Sequence, residues 1–373
     1  MKNQVIKALQ TVSFPNSKKS IVEKNAVSNV HIFGKEVCVD VVINSPAMHV
    51  KKKLEADIIK AIHKEFSEKF VIKTNIIVEV NQKKTDMPIK GDSIPGVANI
   101  VAIASGKGGV GKSTITSNLG VSLAQKGFKV GIVDADIYGP SMHIMFGVQN
   151  RKPEVVKIAN KNYIKPVENF GIKLLSIGFF TESNQAVIWR GPMASKALKQ
   201  LLKESFWGEL DFLLVDLPPG TGDIHLSLVQ TIPLTAAVIV STPQDIALAD
   251  ARKAINMFSI ESINVPILGI IENMSFFIPH DNYEKKYYIF GKQGAGKLAK
   301  ELKTPLIGEI PLVQEVREYS DKGRPVVLEK THLIYDSFDK LSKNFVNQLV
   351  LRNKKLSASE IVKITTMAGC SLK

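Results

Sequence analysis

The run Ser105-Gly106-Lys107-Gly108-Gly109-Val110-Gly111-Lys112-Ser113-Thr114 constrains this chain more than any other stretch. It satisfies the phosphate-loop pattern G-x-x-x-x-G-K-[ST] and carries a second lysine, Lys107, inside the loop. Glycines at these spacings let backbone N–H groups turn inward and wrap phosphate oxygens. Lys112 is placed to reach the β- and γ-phosphates, and the Ser113 hydroxyl to join a Mg²⁺ shell of phosphate oxygens and water. A helix starting near Gly111 would aim its positive dipole end at the same anion.

The flanks fit the motif. Asn99 to Ala104 is a short apolar run of the kind a buried parallel strand needs. After the loop, Ile115, Leu119 and Leu123 form a helical stripe closed by Gly127. Strand, glycine loop and helix in that order predict a nucleoside triphosphate site over Gly106 to Thr114.

With 373 residues the chain is long enough for two domains. Hydrophobic content of 45% with 23% charge is a globular profile. No apolar run reaches the roughly 18–20 residues that cross a bilayer. The opening MKNQVIKALQ lacks a leader's apolar core, and two cysteines exclude a disulfide framework, so a cytoplasmic protein is expected. The net charge of +14 suits nucleic acid, membrane or an acidic partner. Lysines are spread through every segment, however, and a lysine-rich surface accounts for the charge without any of these.

Residues 1–81 read as a small α/β domain. A helix is expected over Gln4 to Val12, strands over Asn29 to Phe33 and Lys35 to Ile43, an amphipathic helix over Met48 to Phe66, and a strand over Val71 to Val80. Residues 82–96, rich in lysine, proline and glycine, read as a linker. From 97 to 351, apolar runs at Ile100–Ala104, Val130–Val133, Ile172–Ile177, Phe212–Val215, Ala236–Val240, Ile267–Ile271 and Leu306–Ile310 alternate with helical patterns. That alternation predicts an α/β domain with a mostly parallel sheet covered by helices, closed by a helix over Tyr335 to Leu351. Residues 352–373 have weak periodicity and read as a mobile tail.

Two strands end in carboxylates. Val130–Val133 delivers Asp134-Ala-Asp136, and Phe212–Val215 delivers Asp216, followed by Leu217-Pro-Pro-Gly-Thr-Gly-Asp223. The carboxyl ends of parallel strands are where such sheets bind ligands. An apolar strand followed by Asp216 is the pattern that holds Mg²⁺ directly or through water. Asp134 alone suits capping of the next helix as well as it suits a site. Three carboxylates beside a phosphate loop favour a shared Mg²⁺ and water site.

KGGVGKST with its extra lysine, VDADIYGPS, RGPM (Arg190 to Met193), VDLPPGTGD, STPQ (Ser241 to Gln244), ENMS (Glu272 to Ser275) and IFGKQGA (Ile289 to Ala295) together resemble the Mrp/ApbC family. These are ATP-dependent iron–sulfur cluster carriers of the deviant-Walker superfamily that includes MinD, ParA and nitrogenase iron protein. The first 80 residues or so are similar to the small iron–sulfur-assembly domain often fused ahead of these ATPases. The resemblance implies a slow P-loop ATPase working as an ATP-sandwich homodimer that delivers clusters to apo-proteins, with assembly scaffolds as further partners. It implies that Lys107 contacts phosphates across the dimer and that Asp136 orients the attacking water. It further implies that Asp134 and Asp216 serve Mg²⁺ and the switch loops, and that Asn273 approaches the base.

The chain departs from the family at its cluster ligands. Where a C-x-x-C commonly follows ENMS, this chain reads Ser275-Phe-Phe-Ile-Pro-His-Asp-Asn-Tyr283. A [4Fe–4S] cluster normally takes four thiolates, and only Cys38 and Cys370 remain. Cys38 alternates with buried-type valines in a strand and reads as structural. The assembly domain's usual cysteine position holds Ser45-Pro-Ala-Met-His49. Cys370, in the tail, is the candidate iron–sulfur ligand. His280 with Asp281 reads as part of a solvated loop, not a metal site.

Two other functions compete. A ParA-like DNA-binding partition ATPase would use the net charge, but GTG, IFGKQGA and the fused first domain oppose it. A MinD-like membrane role needs a terminal amphipathic helix with bulky apolar residues, which LSASEIVKITTMAGCSLK lacks. A third reading keeps the ATPase and moves cluster ligation to a partner or to Cys370.

Overall fold

The structure is a computed structural model that describes residues 2–15, 17, 19–33, 36–43, 48–66, 70–78, 94–158, 160–180, 191–222, 234–260, 263–279, 285–330 and 334–355. Among these, two compact units divide the chain: residues up to 78 with 350–355, and residues 94–349.

In the first unit, helix α1 (Lys2–Leu9) precedes strands β1 (Val27–Phe33) and β2 (Glu36–Ile43), helix α2 (Met48–Glu65) and strand β3 (Val71–Val78). The sheet order is β1-β2-β3, with β1 antiparallel and β3 parallel to β2. The parallel pair requires a crossover, which α2 supplies. Alternation along β2 buries Val37, Val39, Val41 and Ile43 against Leu54, Ile58 and Ile62 of α2. Cys38 lies on β2 opposite His31 and Lys73.

The second unit is built on an eight-stranded sheet among the described residues, ordered β13-β12-β11-β4-β10-β5-β9-β8. Its strands are β4 (Ile100–Ala104), β5 (Val130–Asp134), β8 (Val167–Asn169), β9 (Ile172–Ser176), β10 (Phe212–Asp216), β11 (Ala236–Ser241), β12 (Ile267–Phe277) and β13 (Leu306–Leu312). All pairs are parallel except the edge pair β8–β9. Each expected apolar run is a strand. The four runs at β4, β5, β10 and β11 are wholly buried, as strands covered on both faces must be. Helix α3 (Lys112–Gln125) packs so closely that a Cβ on Gly120 would come within 2.8 Å of Ile132 and 3.7 Å of Leu214. Helix α9 (Tyr335–Lys355) meets α3 through the Ser122–Ser342 hydroxyl bond of 3.0 Å. It runs four residues into the stretch expected to be tail.

Three strands lie outside the sequence expectation. Strands β6 (Glu154–Ile158) and β7 (Lys161–Lys165) pair as a separate antiparallel hairpin, and β8 adds the reversed edge. Their residues are mostly exposed or half-buried, so no apolar run announces them.

Register sets the site. Asp216 sits beside Ile103 on one side and Asp134 on the other, and Asp134 beside Ser176. The carboxylates therefore meet at one edge of the sheet, next to the loop that leaves β4.

Phe212 anchors this core. It is 2% exposed, with its ring edge-on to Phe128 at 5.0 Å and to Phe345 at 5.8 Å. Phe212→Ala is expected to cost about 3–5 kcal/mol, read as an earlier denaturant midpoint for the larger unit. A shift below about 1 kcal/mol would mean the three-ring packing is not what holds this side of the sheet.

Candidate functional site

The loop from Ser105 to Gly111 curls over the end of β4 and is fixed from below, not left free. Gly106 abuts helix α6 (Asp245–Ser259): a Cβ there would lie 2.0 Å from the Asp250 carbonyl oxygen, so no larger residue fits. Gly111 takes φ +78 and caps α3, and a Cβ on it would lie 2.3 Å from the Asn273 amide nitrogen. That amide donates to the Val110 carbonyl at 2.9 Å. Ser105 Oγ donates to the Lys107 carbonyl at 3.0 Å, and Gly220 N–H donates to the Ser105 carbonyl at 2.9 Å. The last bond ties the Pro218–Gly222 turn to the start of the loop.

A cavity of about 240 Å³ opens above the loop, lined by Lys107 to Thr114 together with Asp136, Ser141, Met145 and Pro219. Gly108 and Gly109 leave its floor clear, with nothing within 4 Å of a Cβ at Gly109. Lys107, Gly108 and Gly109 are exposed, whereas Val110 and Lys112 are buried.

Asp216 is the centre of the polar network. Its carboxylate is fully buried and accepts from three side chains: Lys112 Nζ at 2.8 Å, Ser113 Oγ at 2.6 Å and Thr116 Oγ1 at 2.7 Å. Lys112 and Ser113 come from the motif. Thr116 was not singled out in the sequence, although it stands one helical turn after Lys112, where i,i+4 spacing puts both on one face.

Asp134 is arranged differently. Its oxygens accept from the N–H groups of Asp136 (3.2 Å), Ser141 (3.0 Å) and Met142 (3.1 Å), and from Ser176 Oγ (2.8 Å). Ser141 and Met142 open helix α4 (Met142–Met145), so Asp134 does the capping work that was one of its two readings. It also folds the loop that carries Asp136. Ser176, at the end of an apolar strand, gave no signal of this role in the sequence.

Burial, and then the negative charge of Asp216, pushes the Asp134 carboxyl up to about 7. Asp136 is half-buried and accepts from Gly139 N–H at 3.2 Å. Burial raises its carboxyl above the usual range, and the Lys112 charge opposes that rise.

The residues fit a magnesium-bound nucleotide. Ser113 and Asp216 offer a hard, all-oxygen donor set beside a lysine and an open cradle of backbone amides, which suits Mg²⁺ held together with phosphate. Among the described residues no cluster of three or more His, Cys, Asp or Glu side chains could hold a metal, and no helix is long and apolar enough to cross a membrane. Arg190, Asp223, His280, Asp281 and Cys370 lie outside the described residues.

Residues 96–346 match the family described as NUBPL iron-transfer P-loop NTPase, and residues 2–71 match the family described as iron-sulfur cluster assembly protein. The chain is similar to a protein named iron-sulfur cluster carrier protein from Synechocystis sp., with 43% identity over 87% of this chain and 91% of that protein. A protein of the same name from Deinococcus radiodurans is 41% identical over 88% of this chain and 89% of its own length. Among solved structures, a nucleotide-binding protein from Archaeoglobus fulgidus in complex with ADP is 38% identical, with a TM-score of 0.55, covering 65% of this chain and 93% of that one.

The raised Asp134 carboxyl gives a signed test. A folded-state pKa above the unfolded value stabilises the fold at low pH, and that contribution is lost as pH rises through about 7. Asp134→Asn cannot ionise and keeps an acceptor oxygen. It is expected to flatten the fall in unfolding free energy between the ordinary carboxyl value of 3.8 and about 7, by up to about 1.4 kcal/mol per pH unit. Parallel curves for the two proteins would remove Asp134 as the titrating group.

Proposed function

The chain belongs to the NUBPL-type iron-transfer P-loop NTPase family, and we propose that it is an ATP-hydrolysing carrier that receives iron–sulfur clusters and hands them to apo-proteins. The observation that carries the motor half of this reading is the buried Asp216 carboxylate, held by Lys112, Ser113 and Thr116 beneath the glycine cradle. The cargo half is supported by the names of relatives that match nearly the full chain.

Roles follow from position. The backbone N–H groups from Gly108 to Thr114 bind the phosphates, and Lys112 supplies positive charge at the β- and γ-phosphates. Mg²⁺, held through Ser113 with Asp216 behind it, would neutralise charge on the transferring phosphoryl group. Asp136 sits at the cavity wall and orients the attacking water, so that ATP and water yield ADP and phosphate. Asp134 positions this group by folding residues 135–142 around its own carboxylate. Asn273 supports the floor by holding Val110, and through it the shape of the nucleotide pocket.

Lys107 is exposed at the tip of the loop, free to reach a nucleotide on a second copy of the chain. In the resulting homodimer the γ-phosphate holds both subunits and the loops after Asp134 and Asp216 in one arrangement, and its loss releases them. Slow turnover suits that use.

The cargo is limited by composition. Two cysteines per chain give a homodimer four thiols in all, from Cys38 and Cys370. We assign Cys370 as the ligand this chain contributes, with further ligands coming from the protein that donates or accepts the cluster. A cytoplasmic site of action is part of this proposal.

Three measurements test it. Lys107→Ala is expected to keep ATP binding and lose the ATP-dependent dimer in sedimentation velocity, with turnover down on the order of 10²-fold. An unchanged dimer would sink the trans role of Lys107. After anaerobic reconstitution, the protein should hold iron and sulfide above background and pass them to an apo-acceptor. Cys370→Ala should lower iron per dimer without changing ATP binding, and background iron in the unaltered protein would end the carrier reading.

A further inference from the structure

A second cavity, about 430 Å³, opens in the larger unit and shares no lining residue with the nucleotide cavity. One wall is the start of α6, from Gln244 to Arg252. The other is the Phe290–Lys292 segment and helix α7 (Gly294–Glu301). Its lining is apolar at Leu248, Phe290 and Leu298 and cationic at Lys292 and Lys297. Arg252 also lines it, but both of its terminal nitrogens are spent on the Glu301 carboxylate. Lys292 and Lys297 are exposed and make no ion pair among the described residues. The Lys292 ammonium stands 4.8 Å from the Tyr288 ring centre, and that of Lys286 4.4 Å from the Phe276 ring centre. Tyr287, Tyr288 and Ile289 beside them are 50%, 41% and 59% exposed. A mainly polar cavity with a few apolar side chains and two exposed lysines at its rim suits a ligand that is itself part apolar and part anionic.

Both walls lead to the phosphate loop. The α6 backbone at Asp250 is the surface against which Gly106 packs. The first turn of α7 is capped by Glu272, whose buried carboxylate accepts from Ala295 N–H at 2.6 Å. The next residue, Asn273, holds the Val110 carbonyl. A ligand that moves either wall therefore moves a group one contact away from the phosphates.

The geometry points to a docking site for an acidic segment of a partner protein, with an apolar side chain seated among Leu248, Phe290 and Leu298 and its carboxylates on Lys292 and Lys297. Charge complementarity selects that occupant: Asp245 is the one lining carboxylate not paired with a cation among the described residues. The identification of the partner as a protein that exchanges clusters with this chain rests on the carrier reading. The site itself does not. Its contact with both walls makes its affinity depend on the nucleotide bound.

The probe is a short fluorescein-labelled peptide of Glu and Asp around a central Phe, titrated by anisotropy into the full-length protein with ATP and with ADP. Saturable binding that weakens with salt and differs between the two nucleotides is expected. Lys292→Glu with Lys297→Glu should weaken it about tenfold or more, while Lys292→Arg with Lys297→Arg retains it. ATP binding by the charge-reversed protein should be unchanged, which separates a lost site from a lost fold. Absent binding, or binding indifferent to charge reversal or to nucleotide, would overturn the proposal. Preference for labelled single-stranded oligo-dT would overturn it in favour of nucleic acid. Loss of the ATP-dependent dimer in the variant would overturn it in favour of a second copy of this chain. Iron uptake is measured in parallel: uptake without peptide binding removes the site and leaves the carrier reading, and peptide binding without uptake does the reverse.

Discussion

Everything in the larger unit is arranged around one buried carboxylate. Asp216 sits at the end of a central strand with no exposed surface, where an isolated charge would cost several kcal/mol. Three donors from the first turn and a half of α3 offset that cost. They can do so only if α3 starts where the glycine loop ends, and the loop can end there only because β4 and β10 lie side by side in register. The fold thus delivers three constraints to the same few ångströms: a strand end, a helix start and a turn with φ above zero between them. Removing one partner strands the others in a low-dielectric pocket, which makes the arrangement cooperative and unforgiving.

Asp134, on the neighbouring strand, shows how a second carboxylate is accommodated so near the first. Its register partner is Asp216 itself. Burial, and after it the repulsion from Asp216, raises the Asp134 carboxyl, and four donors, three of them backbone N–H groups, make the position tolerable. The same bonds shape the loop that presents Asp136 to the cavity. The two aspartates of VDAD therefore divide the labour. The buried one builds the loop and the half-buried one faces the cavity.

Much of this was legible in the chain. The sheet's central strands are uninterrupted apolar runs because both faces are covered, and such runs stand out against a lysine-rich background. The phosphate loop declares itself through glycine positions that geometry demands. The β6–β7 hairpin was not legible, since its strands bury little and carry no strong periodicity. Strand order was not legible either, because any parallel sheet yields the same runs. In the site, Thr116 and Ser176 carry no sequence signal, for a common reason. A hydroxyl inside a helix or strand looks like a neutral filler until register brings a buried carboxylate beside it. Asn273 was expected near the base through family resemblance, and its bond to Val110 required the three-dimensional path of β12 past the loop.

That bond has a consequence for how the protein senses its nucleotide. With Gly106 seated on α6, Gly111 against Asn273 and Val110 tethered, the loop is already in a binding shape, and little conformational entropy remains to be lost when phosphate arrives. A preorganised floor gives affinity, and because it is seated on α6 and β12, any small displacement of it is passed to both through the same contacts. The Gly220 N–H bond to the Ser105 carbonyl joins the turn after Asp216 to this same loop, so that turn shares in any displacement. The loop named first in the sequence is the junction at which a helix, a strand and a turn are held together.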